Sequence, residues 1–212
     1  GSDVEEGYRS IQATIQTLES HFDSTFIFHG PFSAFKNEEI VPIDPDSIAD
    51  DTELALKIRK NGKRVVFDPA VKYKEASHSE FSKRRTQKDR RAMGLLRLLF
   101  QHRDMLGGYG LYGSIVLPFN WGFMFISPWL LAGTVGLSTV LGILVGGPFG
   151  LVVPISIGVF TVLGSQERLG SLQSVYAVFD TQVSLFFAAI KLLRGEGSAI
   201  WDIDEELRDV YE

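Results

Sequence analysis

Two adjacent carboxylates, Asp50 and Asp51, stand at the head of a helical pattern, and a later run reads Gln87-Lys-Asp-Arg-Arg91. A carboxylate in such a place either takes a proton from an attacking group or caps the helix and meets the positive end of its dipole. Arg90 and Arg91 offer planar, always-charged donors that suit phosphate oxygens. The histidines at 21, 29, 78 and 102 are scattered, which gives no support to a histidine metal site, and the chain has no cysteine. Disulfides and thiolate metal sites are thereby excluded, which suits a cytosolic catalytic part.

The elements that must hold these groups follow from periodicity. Tyr8, Ile11, Ile15, Leu18 and Phe22 alternate at spacings of three and four, which predicts a core-facing helix over 4–22. Ser24–His29 is short, aromatic and β-branched, and Gly30-Pro31 stops it, so it reads as a buried strand. Pro42, Asp44, Pro45 and Asp46 predict a loop. Asp50 with Glu53 resembles a capping box, Leu54 and Ile58 share a face, and Asn61-Gly62 closes that helix. Lys63–Phe67 reads as a second strand, ended by Asp68-Pro69.

Charge divides the chain. No Asp, Glu, Lys or Arg occurs from Met105 to Gln166, so the mean hydropathy of +0.09 and the net charge of -5 average two unlike halves. Lys83, Arg84, Arg85, Lys88, Arg90, Arg91, Arg97 and Arg103 meet only Asp89 and Asp104, forming a basic collar on a predicted helix from Phe81 to about Phe100. The apolar end of that helix suits a membrane surface. Two apolar stretches, 111–135 and 137–163, exceed the roughly 20 residues that cross a hydrocarbon core. Pro118, Pro128, Pro148 and Pro154 are tolerated there. Val175–Leu193 carries Asp180 and Gln182; an acid at a helix centre costs about 2.5–3.5 kcal/mol on insertion, so an interfacial helix with Asp180 in water is the simpler expectation. The collar puts the polar half on the cytoplasmic side. The side of the acidic tail stays open.

The segment from Ser47 to Gly62, Lys63-Arg-Val-Val-Phe67 and Gln87-Lys-Asp-Arg-Arg91 together resemble the family 2 glycosyltransferases of the processive, polysaccharide-synthase type. Members pair two acids at a helix start, the second being the catalytic base, and follow them with Gln-x-x-Arg-Trp. The likeness extends to Phe28-His-Gly-Pro-Phe-Ser-Ala-Phe-Lys36 upstream and Trp201 downstream, nearly the whole chain, and is most specific over 24–95.

The resemblance implies an α/β fold: the C-terminal half of a GT-A-like domain (1–80), a basic, partly interfacial helical region (81–110), a membrane region of two or three helices (111–195) and an acidic tail (196–212). It makes Asp51 the base, with Asp50 mainly a cap, and Gln87 an orienting group. Arg90 and Arg91 would serve the leaving diphosphate. His29 and Gly30 either line the acceptor side or simply end a strand. Arg91 replaces the motif's Trp, so the stacking role does not carry over. A nucleotide-sugar donor, a carbohydrate or lipid-linked acceptor and a bilayer are implied partners, and nucleic acid is not, since no aromatic interleaving accompanies the basic run. Mg²⁺ or Mn²⁺ is implied, with its Asp-x-Asp ligands expected upstream of residue 1. The alternatives are a non-catalytic membrane subunit of a glycan complex and a single-addition transferase acting on a polyprenyl-phosphate carrier. A transporter is disfavoured by the paucity of helices.

Overall fold

The computed structural model describes residues 3–28, 32–72 and 81–196, with helix ends 3–8 and 81–84 by backbone alone. His29, Gly30, His78, Trp201 and the acidic tail beyond 196 lie outside the described residues, as do the side chains of Tyr8, Lys83 and Arg84. Three helices build the polar half: α1 (Asp3–Phe22), α2 (Asp50–Lys60) and α3 (Phe81–Gln101). Gly62 takes φ +81° just past α2, the left-handed stop expected of Asn61-Gly62.

The stripe expected to face the core on α1 does so only in part: Ile11 and Ile15 are half-buried. Leu18 and Phe22 are exposed, while Gln16 and Glu19 are buried. Polar side chains tolerate burial when each finds partners. Glu19 accepts hydrogen bonds from the Phe26 backbone N–H at 3.0 Å, the Thr25 hydroxyl at 3.0 Å and Asn120 Nδ2 at 2.6 Å. Burial pushes the Glu19 carboxyl above its usual range, against these three donors.

Neither expected strand forms, and side chains engage several of the backbone groups that a ladder would use. Among the described residues the fold is helical and contains no strand, so the α/β layering expected of the sequence is not seen there. The two segments meet at Val65, where Thr25 N donates to Val65 O at 2.9 Å. Side chains take the other backbone groups. Gln16 Nε2 donates to Ile27 O, Ser24 Oγ accepts from Val65 N, Ser20 Oγ accepts from Phe67 N, and Thr52 Oγ1 accepts from Phe28 N. A two-stranded ribbon is marginal alone, and here the helices satisfy its polar groups instead.

Arg59 ties the polar half together. Its Nε and Nη2 donate to Asp23 Oδ1 and Oδ2 at 2.7 and 2.9 Å, Nη2 also donates to Tyr109 O at 2.7 Å, and the guanidinium lies 5.8 Å from the Tyr112 ring centre. Both charged side chains are 12% exposed. Arg59→Met therefore strands Asp23 and is expected to cost about 3 kcal/mol in detergent unfolding. Burial would raise the Asp23 carboxyl, but the Arg59 bonds outweigh it and hold the group below its usual range. This contribution is complete above the unfolded value near about 3.9 and is lost as pH falls through the lower folded value. Between pH 5 and about 2 the melting temperature should fall less steeply in Asp23→Asn than in the unmodified protein.

The apolar half begins as one helix of mixed pitch: π turns at Tyr112–Val116 and Gly122–Ile126 flank α4 (Leu117–Trp121), and α5 (Ser127–Gly146) follows. The expected break near 136 is absent. The chain turns instead at the 3-10 segment Gly147–Leu151, where Gly147 has φ +61°. Gly150 there approaches Gly142 so closely that a Cβ on Gly150 would stand 2.1 Å from Ile143 N. α6 (Val152–Ser165) follows the turn, and α7 (Gln173–Leu193) packs against α3 and α1. Tyr112–Ser165, as one stretch, and Gly170–Leu193 are long and apolar enough to cross a hydrocarbon core. Their surroundings differ. Tyr112, Val116, Leu117 and Met124 are buried with Leu96 and Leu99 of α3, whereas Leu130, Val145 and Phe149 beyond them are exposed.

Asp180 is not in water. Its side chain is 19% exposed and pairs with Arg85 at 2.7 Å and with Lys88, both on α3. Gln182 Nε2 donates to Phe123 O at 3.2 Å, satisfying a carbonyl within a π turn. Asp180 and Gln182 thus both serve contacts inside the protein.

Candidate active site

The head of α2 is assembled from its neighbours. Ala49, not Asp50, is the cap residue, and no side chain caps the helix. Asp50 is the first helical residue and exposed, its Oδ1 accepting from Asp51 N at 3.0 Å. Asp51 is half-buried, and its Oδ1 accepts from Thr52 N at 2.7 Å. The capping box expected of Asp50 and Glu53 is not made. Glu53 turns inward instead, pairing with Lys57 at 2.6 Å and accepting from Asp44 N at 3.1 Å.

Lys57 extends this brace to the preceding loop through Pro42 O and Asp44 Oδ1, each at 2.9 Å. Burial would lower its ammonium, yet the bonds to Glu53 and Asp44 outweigh that and leave it above its usual range. From the other side Arg97 of α3 binds Asp46, with its Nη1 on Asp46 O at 3.2 Å. Loop and helix start are held between α2 and α3.

Gly94 sets how close α3 can come. A Cβ there would lie 3.0 Å from Ala49 Cβ, 3.2 Å from Ile48 Cγ2 and 3.3 Å from Ala49 N. Gln87, Arg90, Gly94 and Arg97 recur at spacings of three and four, so they occupy one face of α3. The face that meets residues 46–49 through Gly94 and Arg97 therefore carries Arg90 about one turn, and Gln87 about two turns, before the contact. Gln87 and Arg90 are half-buried, and Arg91 is exposed. Residues 46–49, which lead into the acid pair, thus meet α3 on the face that also carries Gln87 and Arg90. Gly94 and the partners of Asp180 were missed by sequence reasoning. An isolated glycine inside an apolar helical pattern was the available signal for the first.

Among the described residues no group of three His, Cys, Asp or Glu side chains could hold a metal. The arrangement offers carboxylates at a helix start, where backbone N–H groups concentrate positive potential, opposite a strip of amide and guanidinium donors. A carboxylate there can accept a proton, and the strip can bind a polyoxygenated or anionic group.

In comparison with known proteins, the model of a family described as glycosyl transferase family group 2 aligns with residues 11–162. No curated protein and no solved structure matches the chain. The aligned residues include the head of α2 and all of α3.

Proposed function

Because the chain belongs to glycosyl transferase family group 2, we propose that its polar half supplies the acceptor-side part of an inverting transferase of the processive-synthase type. The observation that carries this reading is the Gly94 contact, which lays the α3 face of Gln87 and Arg90 against the chain just before Asp50 and Asp51.

In this mechanism Asp51 accepts the proton of the acceptor hydroxyl as its oxygen attacks the anomeric carbon of the donor sugar. The bond to the nucleotide diphosphate breaks on the opposite side, with inversion. Arg90, assisted by Arg91, neutralises charge that develops on the departing phosphate oxygens, and such charge-assisted bonds are worth most where water is excluded. Gln87 orients sugar hydroxyls. Asp50 acts on the helix rather than the substrate, supplying negative charge at the positive end of the α2 dipole. The divalent cation implied by the resemblance finds no fitting ligand set among the described residues, and no step is assigned to it.

The α5–α6 hairpin would cross the bilayer, its exposed apolar surface facing lipid. α5 alone, at about 1.5 Å per residue over its 20 residues, matches the roughly 30 Å hydrocarbon thickness. In this layout α7, which packs on α3 and α1, lies on the same side as the polar half. With the basic collar setting orientation, that side is cytoplasmic. Two crossings, 1–80 as the catalytic part and 81–110 as the surface region, complete the proposed layout.

The test is to offer a panel of labelled nucleotide sugars to membranes containing the full-length protein. Label entering polymer or lipid supports the reading and names the donor. If every donor is left intact, the protein is a non-catalytic subunit and the mechanism is withdrawn.

A further inference from the structure

Asp180 is the one acid of α7, and the mechanism above makes no use of it. Its two oxygens divide between two cations of α3: Oδ1 accepts from Arg85 Nη1 at 2.7 Å, and Oδ2 accepts from Lys88 Nζ. Arg85 Nε lies 3.3 Å from Asp89 Oδ1, and Lys191 of α7 stands 3.9 Å from Asp89 Oδ2. Positive and negative groups thus alternate across the α3–α7 seam at Arg85, Asp180, Lys88, Asp89 and Lys191.

Helix geometry shows what this seam controls. At about 100° per residue, Arg85, Lys88 and Asp89 cluster on one side of α3, together with Ala92, Leu96 and Leu99, which are buried. Gln87, Arg90, Gly94 and Arg97 lie about half a turn away, on the side that meets residues 46–49. α3 is gripped from opposite sides. Apolar contacts pack α3 against α7 and are themselves non-directional. The two-cation clamp on Asp180 is directional. Asp180 is 19% exposed, and both cations that pair with it lie on this one side of α3.

We propose that Asp180 is a positioning residue for sugar transfer: by holding Arg85 and Lys88 it fixes the rotation of α3 that presents Gln87 and Arg90 to the head of α2. The proposal rests on the transferase reading. It couples the helix that follows the apolar hairpin to the reacting site without touching substrate.

The experiment uses the full-length protein in membranes. Asp180→Asn keeps the shape of the side chain and removes its charge. It should lower kcat for transfer about tenfold to a hundredfold, the scale of a small misplacement, while the donor KM changes less than about twofold. Asp180→Glu should recover most of the rate. Arg85→Gln should also slow transfer, and its loss should not multiply with that of Asp180→Asn, because both remove one interaction. Unchanged kcat in Asp180→Asn overturns the proposal. So does a loss that Asp180→Glu fails to recover and that multiplies with Arg85→Gln, since that pattern marks general damage to the fold. If the unmodified protein transfers no sugar, the transferase reading itself has failed and the proposal falls with it; an active unmodified protein with an unaffected Asp180→Asn isolates failure to the proposal alone.

Discussion

Asp51→Asn should lower kcat for sugar transfer by about 10²–10⁴-fold, the range that a positioned general base contributes. The substitution is informative because it is conservative where the fold needs Asp51. The asparagine keeps a side-chain oxygen that can accept from Thr52 N, the 2.7 Å bond at the head of α2, so the helix start survives. What disappears is the capacity to hold a proton. The dipole contribution of the lost charge is about 0.3–1 kcal/mol, too small to unfold the protein. Asp50→Asn is the control, with its oxygen still accepting from Asp51 N and an expected loss under about tenfold. Incorporation of labelled sugar, measured beside membrane retention of each variant, decides the matter. Equal transfer by Asp51→Asn and the unmodified protein would remove Asp51 from the mechanism.

Gly94→Leu should be the most damaging substitution away from the carboxylates. Alanine at this site brings its Cβ to 3.0 Å from Ala49 Cβ and 3.3 Å from a backbone nitrogen, a crowding of a few tenths of an ångström. Against that, alanine in a helix interior is favoured over glycine by about 1 kcal/mol, so Gly94→Ala should be nearly neutral in stability and modestly slower. Leucine has no room. It forces α3 away from residues 48 and 49, at about 1–3 kcal/mol of overpacking, and carries Gln87 and Arg90 with it. A shift of about 1 Å costs about a hundredfold in rate. Thermal unfolding in detergent and kcat should therefore separate: Ala small on both, Leu moderate on stability and large on rate. A leucine variant with full activity would show that the α2–α3 spacing does not govern the site.

The three helices of the polar half were legible because their patterns are local. Residues 4–22 match α1 to one residue, and Asn61-Gly62 ended α2 as expected. Local reading failed where distant partners intervene. Gln16 and Glu19 displace Leu18 and Phe22 from the buried face of α1 because Glu19 meets Asn120, which no window around α1 contains. Ser24–His29 and Lys63–Phe67 have strand composition, but side chains of α1 and α2 answer their backbone groups before a ladder can form. Continuous apolarity also hid the turn at Gly147, since hydropathy alone marks no break in a run of uniformly apolar residues. The acid pair and Gln-x-x-Arg were readable as motifs. Their common placement depends on Gly94, whose significance appears only when α3 meets residue 49.

The packing of α7 onto α3 and α1 also governs how the chain is made. Leu96 and Leu99 share a buried cluster with Leu185, Ala188 and Ala189, and those last residues are synthesised only after the whole hairpin. While the ribosome is still producing α5 and α6, the apolar side of α3 lacks its cover and the cations at 85 and 88 lack Asp180. Exposed apolar surface of this kind is what makes nascent chains aggregate. The α3 side of this cluster is thus completed only once α7 has been made, after the whole hairpin.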